Sequence, residues 1–196
     1  MTYLSSPTSG DAILLGNSIV SKPYEVKEKI NVSPQETAVA RNLSVKENLE
    51  LIAQIYGFDK KTVNMKVEEM LTTFSLVEVS NAKAKTLSGG TQRRLSIAMA
   101  LISNPQILFL DEPTLGLDVI ARRELWTAIE KLKGSITIIL TTHYMEEAEA
   151  LSDRIGIMSE GKLKAIGTVL ELMEKTNTKT LENAFVSLAS KEEVER

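Results

Sequence analysis

Apolar side chains recur along the chain with two periods, and the change of period marks its elements. Val45, Leu49, Ile52 and Tyr56 fall at i, i+4, i+7 and i+11, the spacing of one helical face. Ser44 and Glu47 stand ahead of them as a capping box, in which each side chain satisfies an unpaired backbone N–H of the first turn. Gly57 occupies the place of a C-terminal cap. Val63, Val67, Met70, Leu71 and Phe74 predict a second helix, so that 44–74 reads as a small helical lobe. Leu95, Ala98, Met99 and Ile102 then mark the buried stripe of a helix that ends before Pro105.

The period shortens beyond that point. Residues 107–110 are Ile, Leu, Phe and Leu, a continuous apolar run of the kind found in strands covered on both faces. Residues 119–133 read as a helix with Asp118 as its N-cap, and 136–140 as another buried strand. A strand, a helix and a strand in succession describe a right-handed crossover in a parallel sheet. Apolar stretches on either side of Glu160 and Gly161 predict a hairpin. Residues 168–196 predict one or two charged amphipathic helices with a frayed, solvated end. The opening stretch, 8–16, reads as a turn, a short strand and another turn. The fold class is therefore α/β.

Composition narrows the function more than the fold. The 196 residues are 43% apolar and 25% charged, ordinary for a globular chain long enough to bury its own core. There is no cysteine, which removes disulfides, thiolate metal sites and cysteine nucleophiles together. A net charge of -3 and a pI near 5.4 argue against a nucleic-acid partner. The first residues lack the basic flank and apolar stretch of a signal peptide. The longest aliphatic runs are too short to cross a bilayer, so that any membrane role runs through another subunit.

Three places carry chemistry. Asp111 and Glu112 follow directly on the apolar run 107–110, at the end of the strand that faces the ligand crevice in open parallel sheets. One carboxylate there can help to hold Mg²⁺, directly or through water, while its neighbour polarises the water attacking a phosphoryl group. An acidic pair in this place equally fits a helix N-cap or a solvated turn. His143, the single histidine, follows the next strand and can reach a phosphate or the attacking water from the corresponding end. A lone histidine is also a common surface or satisfied core residue. Ser88, Gly89 and Gly90 precede an amphipathic helix, where glycines admit close approach of an anion and the helix N-terminus supplies N–H groups. A bare Ser-Gly-Gly is otherwise an ordinary turn and cap.

Taken in order, these strings resemble the motifs of the ATP-binding cassette (ABC) ATPases of transporters. Leu87, Ser88, Gly89, Gly90, Thr91 and Gln92 resemble the signature motif, and 107–113 the Walker B strand. Residues 114–118 are similar to the D-loop, His143 to the switch histidine, and 32–36 to the Q-loop, with Gln35 as its glutamine. The resemblance covers nearly the whole chain. It implies a P-loop NTPase-like core with a mainly parallel sheet, a helical lobe, and ATP and Mg²⁺ as cofactors. By it, Asp111 helps to bind Mg²⁺, Glu112 is the general base and His143 contacts the γ-phosphate. Gln35 reaches the metal or the attacking water and links the site to a membrane partner. Asp118 communicates across a dimer, while the signature residues, among them Leu87, Ser88, Gly89, Gly90 and Gln92, contact ATP held mainly by the opposite subunit. The implied partners are a transmembrane permease subunit and a second ABC ATPase, with the chain peripheral at the cytoplasmic face of the membrane.

No Gly-Lys-Ser or Gly-Lys-Thr loop occurs in the 196 residues. In the family this loop, whose backbone wraps the phosphates, lies upstream of a segment resembling 8–16. The expectation is thus a single incomplete ABC ATPase domain over 1–196. It comprises a β-rich remainder and Q-loop (1–36), the helical lobe (37–86), the catalytic α/β core (87–167) and a helical tail (168–196). It is expected to lack the first strand and phosphate loop, to expose apolar surface beside the Walker B strand, and to bind ATP poorly alone. Residues 180–188 resemble the tail of drug-efflux exporter ATPases, which favours export. Two other readings carry different functions. A non-catalytic partner would donate only its signature face to an intact ATPase. A DNA-maintenance ATPase of the same type would need long coiled coils, whereas 37–85 holds only a short lobe without sustained heptads.

Overall fold

The computed structural model describes residues 7–190 and divides into two compact units, one ending at Thr141 and the other starting at Thr142. This division falls inside the stretch 87–167. In the first unit, β1 (Ile13–Leu14) and β2 (Asn17–Ser18) form a small antiparallel hairpin. Leu15 and Gly16 turn it with φ of +50° and +78°. α1 (Pro23–Lys27) opens on proline, which loses nothing there because the first helical N–H has no intrahelical acceptor. β3 (Ile30–Ser33) follows, and Ile19, Val26, Ile30 and Ile107 close a small apolar cluster beneath these elements.

The helical lobe forms as its periodicity predicts. α2 (Val45–Ile55) carries the Ser44–Glu47 capping box, with Glu47 N–H donating to Ser44 Oγ at 3.1 Å and Ser44 N–H to Glu47 Oε2 at 2.6 Å. Val45, Leu49 and Ala53 are fully buried, but Tyr56 is 49% exposed. The helix ends at Ile55, and the chain turns at Gly57 with φ of +80°. Tyr56 therefore lies beyond the last helical residue, and its hydroxyl accepts a hydrogen bond from Asn31 Nδ2 at 3.0 Å. α3 (Lys60–Thr73) buries Val63, Val67, Met70 and Leu71, and Phe74 is buried just past its end. Asn48, wholly buried, stitches the preceding loop to α2 by accepting from Ala40 N–H and donating to the carbonyls of Ala40 and Ser44.

α4 (Gly89–Leu101) is buried over most of its circumference, with Leu95, Ile97, Ala98, Ala100 and Leu101 all in the core. β4 (Ile107–Asp111), α5 (Val119–Glu130) and β5 (Thr137–Thr141) then supply the strand–helix–strand unit. The sheet is parallel, in the order β3-β4-β5. Two expectations change here. The strand that ends in the acidic pair is the middle strand, hydrogen-bonded on both sides, so the open edge is not its own. Among the described residues β3 and β5 are both edges, each paired only with β4, and this changes the reading of β5, expected as a buried strand. Its residues alternate between exposed and half-buried, and Ile139 is 38% exposed.

The second unit contains α6 (Met145–Leu151), the antiparallel pair β6 (Ile155–Ser159) and β7 (Lys162–Gly167), α7 (Val169–Thr176) and α8 (Leu181–Ser190). Glu160 and Gly161 turn the hairpin with φ of +52° and +74°, the left-handed pair that tight two-residue hairpins require. Ala148, Ile157, Ala165, Leu172, Leu181 and Leu188 form its own core. The frayed end expected at the C-terminus falls in 191–196, outside the described residues.

Candidate functional site

The acidic pair is held by the end of the sheet. Ile107, Leu108 and Leu110 of β4 are buried and Phe109 is half-buried, and Asp111 emerges exposed, in register with Thr141 of β5. Thr141 Oγ1 donates to Asp111 Oδ1 at 2.5 Å. The next residue, Glu112, is half-buried and turns into the left-handed region with φ of +46°. A non-glycine residue there costs on the order of 1–3 kcal/mol and persists only where its surroundings enforce it. Here its N–H donates to Thr141 O at 3.1 Å, with Thr141 Oγ1 at 3.3 Å as a second acceptor. One threonine thus fixes both carboxylate-bearing residues. The sequence reading missed it, although a hydroxyl at the end of the neighbouring apolar strand was the available signal.

Pro113 and Thr114 are buried directly after the pair, and Thr114 Oγ1 has no hydrogen-bond partner among the described residues. Asp118 caps α5, its Oδ1 accepting from the N–H groups of Ile120 and Ala121, each at 2.9 Å. Ser88 caps α4, its Oγ accepting from Thr91 N–H at 3.2 Å, while Gln92 Nε2 donates to Leu87 O at 3.0 Å. Ser88 and Gly89 are exposed, and the 13-residue helix behind them leaves unpaired N–H groups and a favourable dipole at that end. The two glycines differ. A side chain on Gly89 would meet nothing within 4 Å, whereas a Cβ on Gly90 would lie 2.7 Å from Ala121 Cβ on α5.

Gln35 is exposed just beyond β3, its carbonyl accepting from the Arg93 guanidinium at 3.4 Å. The same guanidinium donates to Asp111 O at 2.7 Å. Arg93 was not singled out in the sequence. The first unit therefore brings together Gln35, Asp111 and Glu112 on one side of α4. His143 belongs to the second unit, exposed in the turn before α6, with its ring 4.1 Å from that of Tyr144.

No group of three or more potential metal ligands occurs among the described residues. An exposed carboxylate at a strand end still fits Mg²⁺, which commonly takes one or two protein carboxylates and completes its shell with phosphate oxygens and water. Asp111 is the residue that would hold it. No helix among the described residues is long and apolar enough to cross a membrane.

This arrangement, a parallel sheet whose middle strand ends in an acidic pair beside a Ser-Gly-Gly-capped helix, defines an ATPase core of the cassette type. Residues 1–115 match the ABC transporter family model, and the chain belongs to that family. It is 44% identical over 185 residues to ABC transporter A family member 2 of Arabidopsis thaliana, covering 93% of this chain and 19% of that protein. It is 40% identical over 176 residues to the doxorubicin resistance ATP-binding protein DrrA of Mycobacterium tuberculosis, covering 89% of this chain and 53% of that protein. The chain thus spans about a fifth of the plant relative and about half of the bacterial one.

Among solved structures, the ATP-binding subunit of an ABC transporter superposes with a TM-score of 0.81 at 25% identity, over 95% of this chain and 79% of that one. A dimeric ATP-binding cassette in a post-hydrolysis state, bound to ADP and Pi, gives 0.73 at 25% identity, over 84% and 75%. Family membership implies binding and hydrolysis of ATP.

Proposed function

We propose that the chain serves as the ATP-hydrolysing part of an ABC transporter that powers export. It would act at the cytoplasmic face of a membrane, with a permease and a second ABC ATPase as partners. The observation that carries this reading is the acidic pair at the end of β4, with Glu112 held in a left-handed conformation by Thr141. Asp111 is the Mg²⁺ ligand, with Gln35 near the metal or the attacking water. Glu112 is the general base that takes the water's proton, and His143 contacts the γ-phosphate. Mg²⁺ held by Asp111 would neutralise charge that develops on the phosphates. Leu87, Ser88, Gly89, Gly90 and Gln92 face a partner's ATP, and Asp118 communicates with that partner. The likeness to DrrA, a doxorubicin resistance protein, supports export, and the dimeric ADP-bound cassette supports the paired arrangement.

These 196 residues contain no Gly-Lys-Ser/Thr loop, so we propose that they bind Mg-ATP weakly by themselves and contribute most through the signature helix. Equilibrium Mg-ATP binding, with turnover of the wild type and Glu112→Gln compared, tests this. Micromolar affinity, with turnover lost in Glu112→Gln, would overturn the weak-binding part and leave the ATPase reading standing. The second arm mixes the chain with an intact ABC ATPase and asks for ATP-dependent association that Ser88→Arg abolishes. If neither turnover nor ATP-dependent association is seen, the functional reading fails.

A further inference from the structure

The strand ladder that aligns β3 with β4 ends at the pair Ser33–Leu110. Beyond it lie Pro34 and Gln35 on one side and Asp111, Glu112 and Pro113 on the other, with no further rungs between the two strands. Pro34 has no N–H with which to extend the ladder. Arg93 of α4 bridges the two segments at that place. Its side chain donates through Nε to Pro113 O at 3.0 Å and through Nη2 to Asp111 O at 2.7 Å. Nη1 donates to the carbonyls of Pro34 and Gln35. The residue is only 4% exposed. A cation so far from water is tolerated because its N–H groups are hydrogen-bonded.

We infer that Arg93 is a positioning residue, which sets the spacing between the segment carrying Gln35 and the segment carrying Asp111 and Glu112. The planar, forked guanidinium suits this task because its donors point in fixed, divergent directions toward carbonyls on two segments. A lysine ammonium, a compact charge on a flexible stem, cannot span both in one geometry. Arg93 also stands one helical turn beyond Gly89, on the same helix as the signature residues. A displacement of the first turn of α4 therefore reaches both segments through one side chain. The functional meaning of that spacing rests on the roles proposed for Gln35 and Glu112, but the spacing itself does not.

The test uses the full chain, whose lack of cysteine allows a nitroxide pair to be attached at Glu36→Cys and Leu115→Cys, both exposed positions. Distance distributions between the labels are recorded by pulsed electron resonance for Arg93, Arg93→Lys and Arg93→Gln. Thermal unfolding is measured alongside. Both variants are expected to broaden the distribution. Hydrogen exchange in peptides covering 30–36 and 110–117 should rise about tenfold, the loss expected for charge-assisted hydrogen bonds, with that of α2 and α3 unchanged. Arg93→Lys, which keeps the charge, is the variant that guards against a failure to fold. An unchanged distribution would overturn the inference, as would a rise in exchange spread evenly over the first unit, which would make Arg93 a general stabiliser. Loss of the spacing in a chain whose wild type neither hydrolyses ATP nor associates in its presence would retain Arg93 as a positioning residue and discard the proposed roles of Gln35 and Glu112.

Discussion

Gly89 and Gly90 look equivalent in the sequence, yet the fold asks different things of them. Gly90 is where α4 meets α5, and a methyl group would enter the space of Ala121 Cβ. Gly89 faces open space. Gly90→Ala is expected to destabilise the chain by about 1–3 kcal/mol through overpacking. Gly89→Ala should leave stability unchanged or raise it by about 0.5–1 kcal/mol, since alanine suits a helix better. Urea unfolding of the two variants checks the contrast. Equal stabilities would show that α4 and α5 do not pack as described. Because Gly89→Ala spares the fold, its effect on ATP-dependent association would report on ligand contact alone, whereas that of Gly90→Ala would mix contact with strain. The residues whose placement was legible in the sequence were those set by local chemistry. Asp111 and Glu112 follow an apolar run, and Ser88 and Asp118 cap the helices they precede. Arg93 and Thr141 were not legible, because their partners lie on distant segments and no local spacing links them.

Elements were read well where a single helix or turn decides them, and poorly where a neighbour does. The capping box of α2, the burial of α3 and the left-handed turn at Glu160 and Gly161 depend on a few adjacent residues. The exposure of β5 depends on what lies beside it, and its apolar run alone does not reveal an edge. The capping box yields a pH prediction. Hydrogen bonding from the Ser44 backbone, then from the Ser44 side chain, holds the Glu47 carboxyl below its usual range. A group whose pKa is lower in the folded than in the unfolded chain contributes stability above the unfolded value. That contribution disappears as pH falls through the folded value. Glu47→Gln should therefore be less stable than the wild type at neutral pH, and the difference should close on acidification below the ordinary glutamate range. Ser44→Ala should cost about 1 kcal/mol at neutral pH. Thermal midpoints recorded from neutral to acidic pH for both variants decide the matter. A Glu47→Gln deficit that persists unchanged in acid would show that charge has no part in the cap.

At the scale of the whole molecule, each of the two units has buried apolar residues of its own, and two-state behaviour need not extend across both. In the unit beginning at Thr142, Leu181 is fully buried at the start of α8, in a cluster with Ile157, Leu172 and Leu188. In the unit ending at Thr141, Leu95 is fully buried on α4. Replacing either leucine by alanine removes apolar contacts and leaves a cavity, at a cost of about 2–5 kcal/mol. The location of the damage is the informative quantity. If the units open separately, Leu181→Ala should speed hydrogen exchange in β6, β7, α7 and α8 while leaving α4 and β4 near wild-type rates. Leu95→Ala should do the reverse. Exchange that rises everywhere in both variants would mean that the chain unfolds as one cooperative body.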